Sequence, residues 1–175
     1  MTRRLLIIAS LALATTAELS AQSPAASASV TIGGKTIAIR YSAPSVRGRK
    51  VFAAGGPIAR DPTYPVWRAG ANEATALRTD AALDIAGLAV PRGNYTLYVV
   101  VKDPNAWELV VNKETGQWGD TYKPAMDLGR VKMTMTTPAK PVETLKYTLT
   151  DKGSGKAELR LEWESHVATV SLTVK

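Results

Sequence analysis

Ala157-Glu158-Leu159-Arg160-Leu161-Glu162-Trp163, followed after a short break by Ala168-Thr169-Val170-Ser171-Leu172-Thr173-Val174, decides the fold class of this chain. In both runs apolar and polar residues alternate with a period of two. That period belongs to a strand with one face buried and the other in water. A helix would instead repeat its apolar residues three and four apart. The stretch Glu164 to His166 breaks the two runs and reads as a turn.

Working outward, the same period recurs at Leu145, Tyr147 and Leu149, and at Val131, Met133 and Met135. Pro138 and Pro141 separate those two runs, and Asp151 to Gly155 separates the later pair. Gly153-Ser154-Gly155-Lys156 resembles a fragment of a phosphate loop. It lacks the long Gly-to-Gly spacing and the Ser or Thr after Lys, so it reads as a hairpin turn. Trp107, Leu109 and Val111 alternate with Glu108, Val110 and Asn112. Tyr95 to Lys102 is apolar on both faces, which predicts a central strand covered on both sides; Asp103-Pro104-Asn105 is turn chemistry joining it to the next strand. Ser29 to Ile32 and Lys35 to Tyr41 flank Gly33-Gly34, whose freedom at positive φ suits a tight hairpin. Weaker runs lie at Glu73 to Asp80 and Ala82 to Ile85. About ten strands divided by turn residues predict an all-β, antiparallel β-sandwich or jelly-roll-like single domain, with little helix beyond one turn near Tyr122 to Met126. A closed barrel is the alternative.

The N-terminus has a different character. Arg3 and Arg4 precede an apolar stretch from Leu5 to Ala14, then small residues up to Ala21. This is the pattern of a secretory signal peptide and is shorter than the roughly 20 residues a spanning helix needs. The expected boundaries are therefore a signal peptide at 1–21, a disordered leader at 22–28 and the folded domain at 29–175. Export to the periplasm or beyond is the expected location, and the mature chain is expected to have no membrane span. Without Arg3, Arg4 and Glu18 the formal charge of +7 becomes +6. The basic residues are scattered, apart from Arg47, Arg49 and Lys50, so no nucleic-acid footprint is expected. The absence of Cys excludes thiolate zinc sites and thiol redox chemistry. No cofactor is implied and no metal-loop spacing is present. His166, the single histidine, reads as a solvated turn residue, and Asn94-Tyr95-Thr96 as a chance glycosylation match at the head of a core strand.

Two stretches carry the candidate site. Tyr41 to Arg49 leaves a strand at Pro44 and turns at Gly48, bringing Arg47 and Arg49 into a loop. Paired guanidinium donors suit a carboxylate or phosphate, although a solvated basic loop would look the same. Trp67-Arg68-Ala69-Gly70-Ala71-Asn72-Glu73-Ala74-Thr75 joins a large apolar anchor to polar groups around a compact turn. Arg68 can be a clamp paired with Glu73 or Asp127. Alternatively, Arg68, Asn72, Glu73 and Thr75 line a pocket. Trp118 and Tyr122 stand in a loop with little strand pattern, where they either cap the core or stack on a ligand.

The ordered set Tyr41-x-x-Pro44-x-x-Arg47-Gly48-Arg49, Trp67-Arg68-x-Gly70-Ala71-Asn72-Glu73-Ala74-Thr75, Pro91-x-Gly93-x-Tyr95, Trp107 to Asn112, Trp118-Gly119 to Tyr122 and Asp127-x-x-Arg130 resembles the bacterial domain-of-unknown-function family 2911. The resemblance spans about residues 29 to 175. It implies an exported all-β domain and no particular activity. The segment Ala53 to Val66 is longer than the usual link. The site expected on these grounds consists of Arg47, Arg49, Arg68, Asn72, Glu73, Thr75, Trp118, Tyr122 and Asp127, set for a small polar or anionic ligand. A hydrolase using Glu73 with Asp127 or Asp120 and a purely structural envelope protein are the two other readings.

Overall fold

The computed structural model describes residues 22–175; the expected signal peptide lies outside the described residues. The strands are β1 (Ala25–Ile32), β2 (Lys35–Ser42), β3 (Val66–Trp67), β4 (Ala71–Thr79), β5 (Leu83–Ile85), β6 (Leu88–Val90) and β7 (Gly93–Val100). They continue as β8 (Glu108–Asn112), β9 (Asp127–Lys132), β10 (Thr134–Thr136), β11 (Val142–Gly153), β12 (Lys156–Glu164) and β13 (His166–Val174). Two single 3-10 turns, Ile58–Arg60 and Pro124–Met126, are the only helical pieces among the described residues. The second falls where the sequence suggested a turn.

Every strand pairing is antiparallel and the strands form two sheets, a β-sandwich. One sheet runs β1-β2-β4-β7-β8-β9, with β3 beside β7; the other runs β11-β12-β13-β5-β6, with β10 beside β13. Alternation explains the core directly. Ile37, Ile39, Leu97, Val99, Leu109 and Val111 point inward from the first sheet, and Leu145, Leu159, Leu161 and Leu172 meet them from the second. β7 is central and apolar on both faces as expected. Its outward Tyr98 packs in a second small cluster with Val66 and Val110, partly roofed by Tyr122.

Three departures from the sequence reading have local causes. The leader is shorter than 22–28, because Ala25 to Ala28 pair with Ser42 to Ile39 and extend β1 back through small residues that carry no strand signal of their own. Thirteen strands replace about ten, since short pieces of two or three residues complete the sheets. The run Val131, Met133, Met135 keeps its period of two but is not one strand. The chain changes sheets at Met133, whose N–H donates to the Trp107 carbonyl, so β9 and β10 belong to opposite layers.

The layers are also tied at the end that carries the site. Beyond β2 the chain crosses to β11, with Leu145 N–H donating to the Pro44 carbonyl and Val46 N–H to the Glu143 carbonyl. Among the described residues no helix is long and apolar enough to cross a membrane.

Candidate functional site

Arg68, Ala69 and Gly70 link β3 to β4. Ala69 is held at φ 51° and is fully buried. A left-handed Ala is unfavourable by roughly 1–2 kcal/mol, so its surroundings must hold it there. They do so through its carbonyl, which accepts from the Thr75 hydroxyl at 3.1 Å and from the Tyr147 hydroxyl at 2.9 Å, the latter reaching across from the other sheet. Burial and this contact suit a neutral phenol, and burial pushes the Tyr147 hydroxyl well above its usual pKa. Trp67 Nε1 donates to the Gly70 carbonyl at 3.2 Å. Gly70 has no room for a side chain: a Cβ would sit 2.8 Å from Thr75 Oγ1. Thr75, expected to line a pocket, is therefore a buried support of the turn.

That turn aims Arg68. The guanidinium donates to Asp61 at 3.0 Å and, more weakly, to the Asn72 carbonyl at 3.4 Å, with side-chain exposures of 14% for Arg68 and 10% for Asp61. The clamp expected at Arg68 is present, but its partner is neither Glu73 nor Asp127. Asp61 comes from the long segment between Ala53 and Val66, where its other carboxylate oxygen accepts from the Thr63 N–H and hydroxyl. This self-bonded turn presents Asp61 to Arg68 from seven residues away. Gly119 closes the other side; a Cβ there would sit 2.5 Å from Arg68 Cδ and 2.7 Å from the Asn72 carbonyl oxygen.

Beside this pair lies a cleft of about 380 Å³ lined by Arg47, Arg49, Asp61, Arg68 and Asn72, with Pro44, Ile58, Trp67 and Trp163 among its walls. The lining holds three arginines and one aspartate, an excess of two positive charges. Arg49 is partly occupied, donating to the Ser45 and Val46 carbonyls at 2.6 and 2.9 Å. Arg47 is held at φ 50° by its own N–H, which donates to Glu143 at 2.8 Å, while its guanidinium forms no ion pair among the described residues. Asn72, at φ 58°, donates to the Ser23 carbonyl at 3.3 Å. Arg47, Ala69 and Asn72 are half of the six non-glycine residues at positive φ among the described residues, which concentrates backbone strain around this cleft.

The remaining candidates lie elsewhere. Glu73 is exposed and lines a separate depression on the outer face with Arg40 and Ser27. It joins the cleft's turn only through the backbone, where β4 bridges to Trp118. Trp118 is 49% exposed, so it does not cap the core. Tyr122 packs on Tyr98 with ring centroids 4.9 Å apart, and its hydroxyl donates to Asp127 at 2.7 Å. Asp127 also accepts from Arg130 at 3.0 Å and from Asn112 at 2.9 Å. Burial and the neighbouring carboxylate push the Tyr122 hydroxyl up to about 12. The carboxylate and the phenol of this cluster are paired within it, and Asp127 and Glu73 lie in different surroundings. Among the described residues no three His, Cys, Asp or Glu side chains converge as metal ligands.

His166 is half-buried rather than a freely solvated turn residue. It stacks on Trp107 at 5.1 Å and lies 4.6 Å from the Phe52 ring, because the turn before it folds under the long segment after Lys50. Sequence reasoning missed Asp61 altogether and did not place Trp163 beside it at the cleft; the only signal was the unusual length of the segment that carries Asp61.

The family model described as a protein of unknown function, DUF2911, matches residues 23–172, most of the chain. No curated protein and no solved structure matches it.

Proposed function

We propose that this chain, which belongs to the DUF2911 family, is an exported binding module whose cleft beside Arg68 takes a small anionic ligand. One observation carries the reading: Arg47, Arg49, Arg68 and Asn72, from separate stretches of the chain, line one cleft in which the Arg47 guanidinium has no acidic partner among the described residues. A guanidinium donates paired hydrogen bonds to a carboxylate or phosphate group. Arg47 is the primary contact, with the unspent donor of Arg49 beside it. Arg68 is already paired with Asp61 and fixes the wall rather than capturing charge. The N-terminal signal pattern supports export, and the basic lining supports the sign of the ligand.

A purely structural protein would enclose Arg68 with no opening beside it; here the pair borders a cleft. Hydrolysis by Glu73 with Asp127 or Asp120 gains no support, since Glu73 lies on a depression that neither aspartate lines. The test is a thermal-shift panel of phosphate, sulfate, simple carboxylates, sugar acids and acidic dipeptides. A ligand at a hundredfold excess over its Kd stabilises by about 2.7 kcal/mol, a shift of several degrees for a domain of this size. Arg47→Ala should abolish the shift and Arg130→Ala should preserve it. A panel in which no anion raises the melting temperature, or in which Arg47→Ala responds like the wild type, sinks the proposal.

A further inference from the structure

His166 is the only histidine in the chain. It opens β13 and pairs with Trp163 across a tight turn. Its side chain is 16% exposed, held between the rings of Trp107 and Phe52. Two small cavities of about 230 and 220 Å³ meet at it, one toward Pro104 and Thr136, the other under the segment from Phe52 to Tyr64. A proton from solvent therefore has a route to the imidazole.

Glu164, two residues earlier, stands at φ 52° and divides its carboxylate between two tasks. One oxygen accepts the Val51 N–H at 2.7 Å; the other lies 3.8 Å from His166 Nδ1, beyond hydrogen-bond reach. The Val51 amide is the first anchor of the segment that goes on to deliver Ile58 and Asp61 to the cleft. The other polar groups around the imidazole are the Ser165 hydroxyl, 3.3 Å from Nδ1, Lys102 and Tyr64 around the cavity under the segment, and the uncharged Asn105, Thr136 and Thr137 around the other. Residues 51–59 and β10 contribute no charged side chain.

We propose that His166 is a proton-operated latch on the segment from Val51 to Pro65. Neutral, the imidazole fills the aromatic cage and leaves Glu164 to hold the Val51 amide. Protonated, it draws the Glu164 carboxylate onto Nδ1, and the segment loses its first anchor. Opposed forces set the balance. Burial disfavours the imidazolium and pushes His166 below its ordinary 6.5, while Glu164 pulls the other way and the Trp107 face favours a cation. Because the segment carries Asp61, release would also loosen the wall of the anion cleft. Only that consequence rests on the binding proposal; the latch does not.

With a single histidine, an NMR titration of the protein between about pH 4 and about pH 8 reads one imidazole directly. The expected result is a midpoint below 6.5, a Val51 amide shift with the same midpoint, and an about tenfold loss of amide protection over residues 51–61 below it. A Val51 amide that ignores the imidazole titration overturns the latch. His166→Phe keeps the ring packing and removes the proton, so amide protection over 51–61 should become flat with pH; an unchanged acid loss in this variant also overturns it. Should His166→Phe fail to fold, the wild-type titration decides by itself. None of these readouts uses a ligand. A protein that binds no anion leaves the latch standing, and a segment indifferent to pH leaves the cleft standing.

Discussion

Arg68 with Asp61 and Arg130 with Asp127 are the same pair of residue types, each bonded at 3.0 Å, in opposite surroundings. Arg130 is 39% exposed and its partners, Asp127 and Tyr122, are themselves bonded to one another. There the arginine, the carboxylate and the phenol are spent mainly on one another. Arg68 is 14% exposed, braced by a strained turn, and borders a cleft in which a second guanidinium, that of Arg47, forms no ion pair among the described residues. The contrast teaches that an arginine–aspartate pair says little by itself. Burial decides what the pair contributes to stability, and an unspent neighbouring donor decides whether it borders a binding site.

Removing either arginine is the most direct way to break this comparison. Arg68→Ala leaves a mostly buried Asp61 carboxylate short of its partner and should destabilise the protein by about 3 kcal/mol in urea denaturation. A loss below about 1 kcal/mol would put the two pairs in the same class. Gly119→Ala sharpens the point without touching a charge, by pressing a methyl group against Arg68 and the Asn72 carbonyl. Overpacking of this kind should cost about 1–3 kcal/mol and widen the cleft enough to weaken anion binding.

On the other side of the comparison, Tyr122→Phe removes a hydroxyl that donates to Asp127 and accepts from Arg130, for a loss of about 1 kcal/mol. The same hydroxyl makes an alkaline prediction. Its folded pKa is raised from 10.0 to about 12, so its contribution is complete below pH 10 and is lost as the pH climbs toward 12. Absorbance titration of phenolate should show one group fewer ionising near 12 in the Phe variant. The smallest effect belongs to Arg130→Ala, less than about 1 kcal/mol, with the anion-induced thermal shift unchanged.

Much of the fold could be read in advance because a period of two is a local property. The alternations at Leu159 to Trp163 and Ala168 to Val174 fix which side chains face inward, whatever the rest of the chain does. The Gly33-Gly34 and Gly153 to Gly155 turns follow from backbone freedom at positive φ, as found. The site was legible only in part. Arg47, Arg49, Arg68 and Asn72 stood out as polar residues around turns and do share a cleft. Thr75 looked like a pocket residue because nothing in its neighbours revealed Tyr147, from the opposite sheet, bonded to the same carbonyl.

The amino-acid sequence alone determined a two-layered antiparallel β domain, its turns, and the two basic stretches from which a site is built, since each of these depends on residues close together in the chain. Tertiary structure decided that Asp61 neutralises Arg68, that Arg47 forms no ion pair among the described residues, and that His166 is half-buried against Trp107 and Phe52. Those outcomes depend on where a long irregular segment comes to rest across the end of the sandwich. That is set by which charges and rings lose water together, a balance no local pattern encodes.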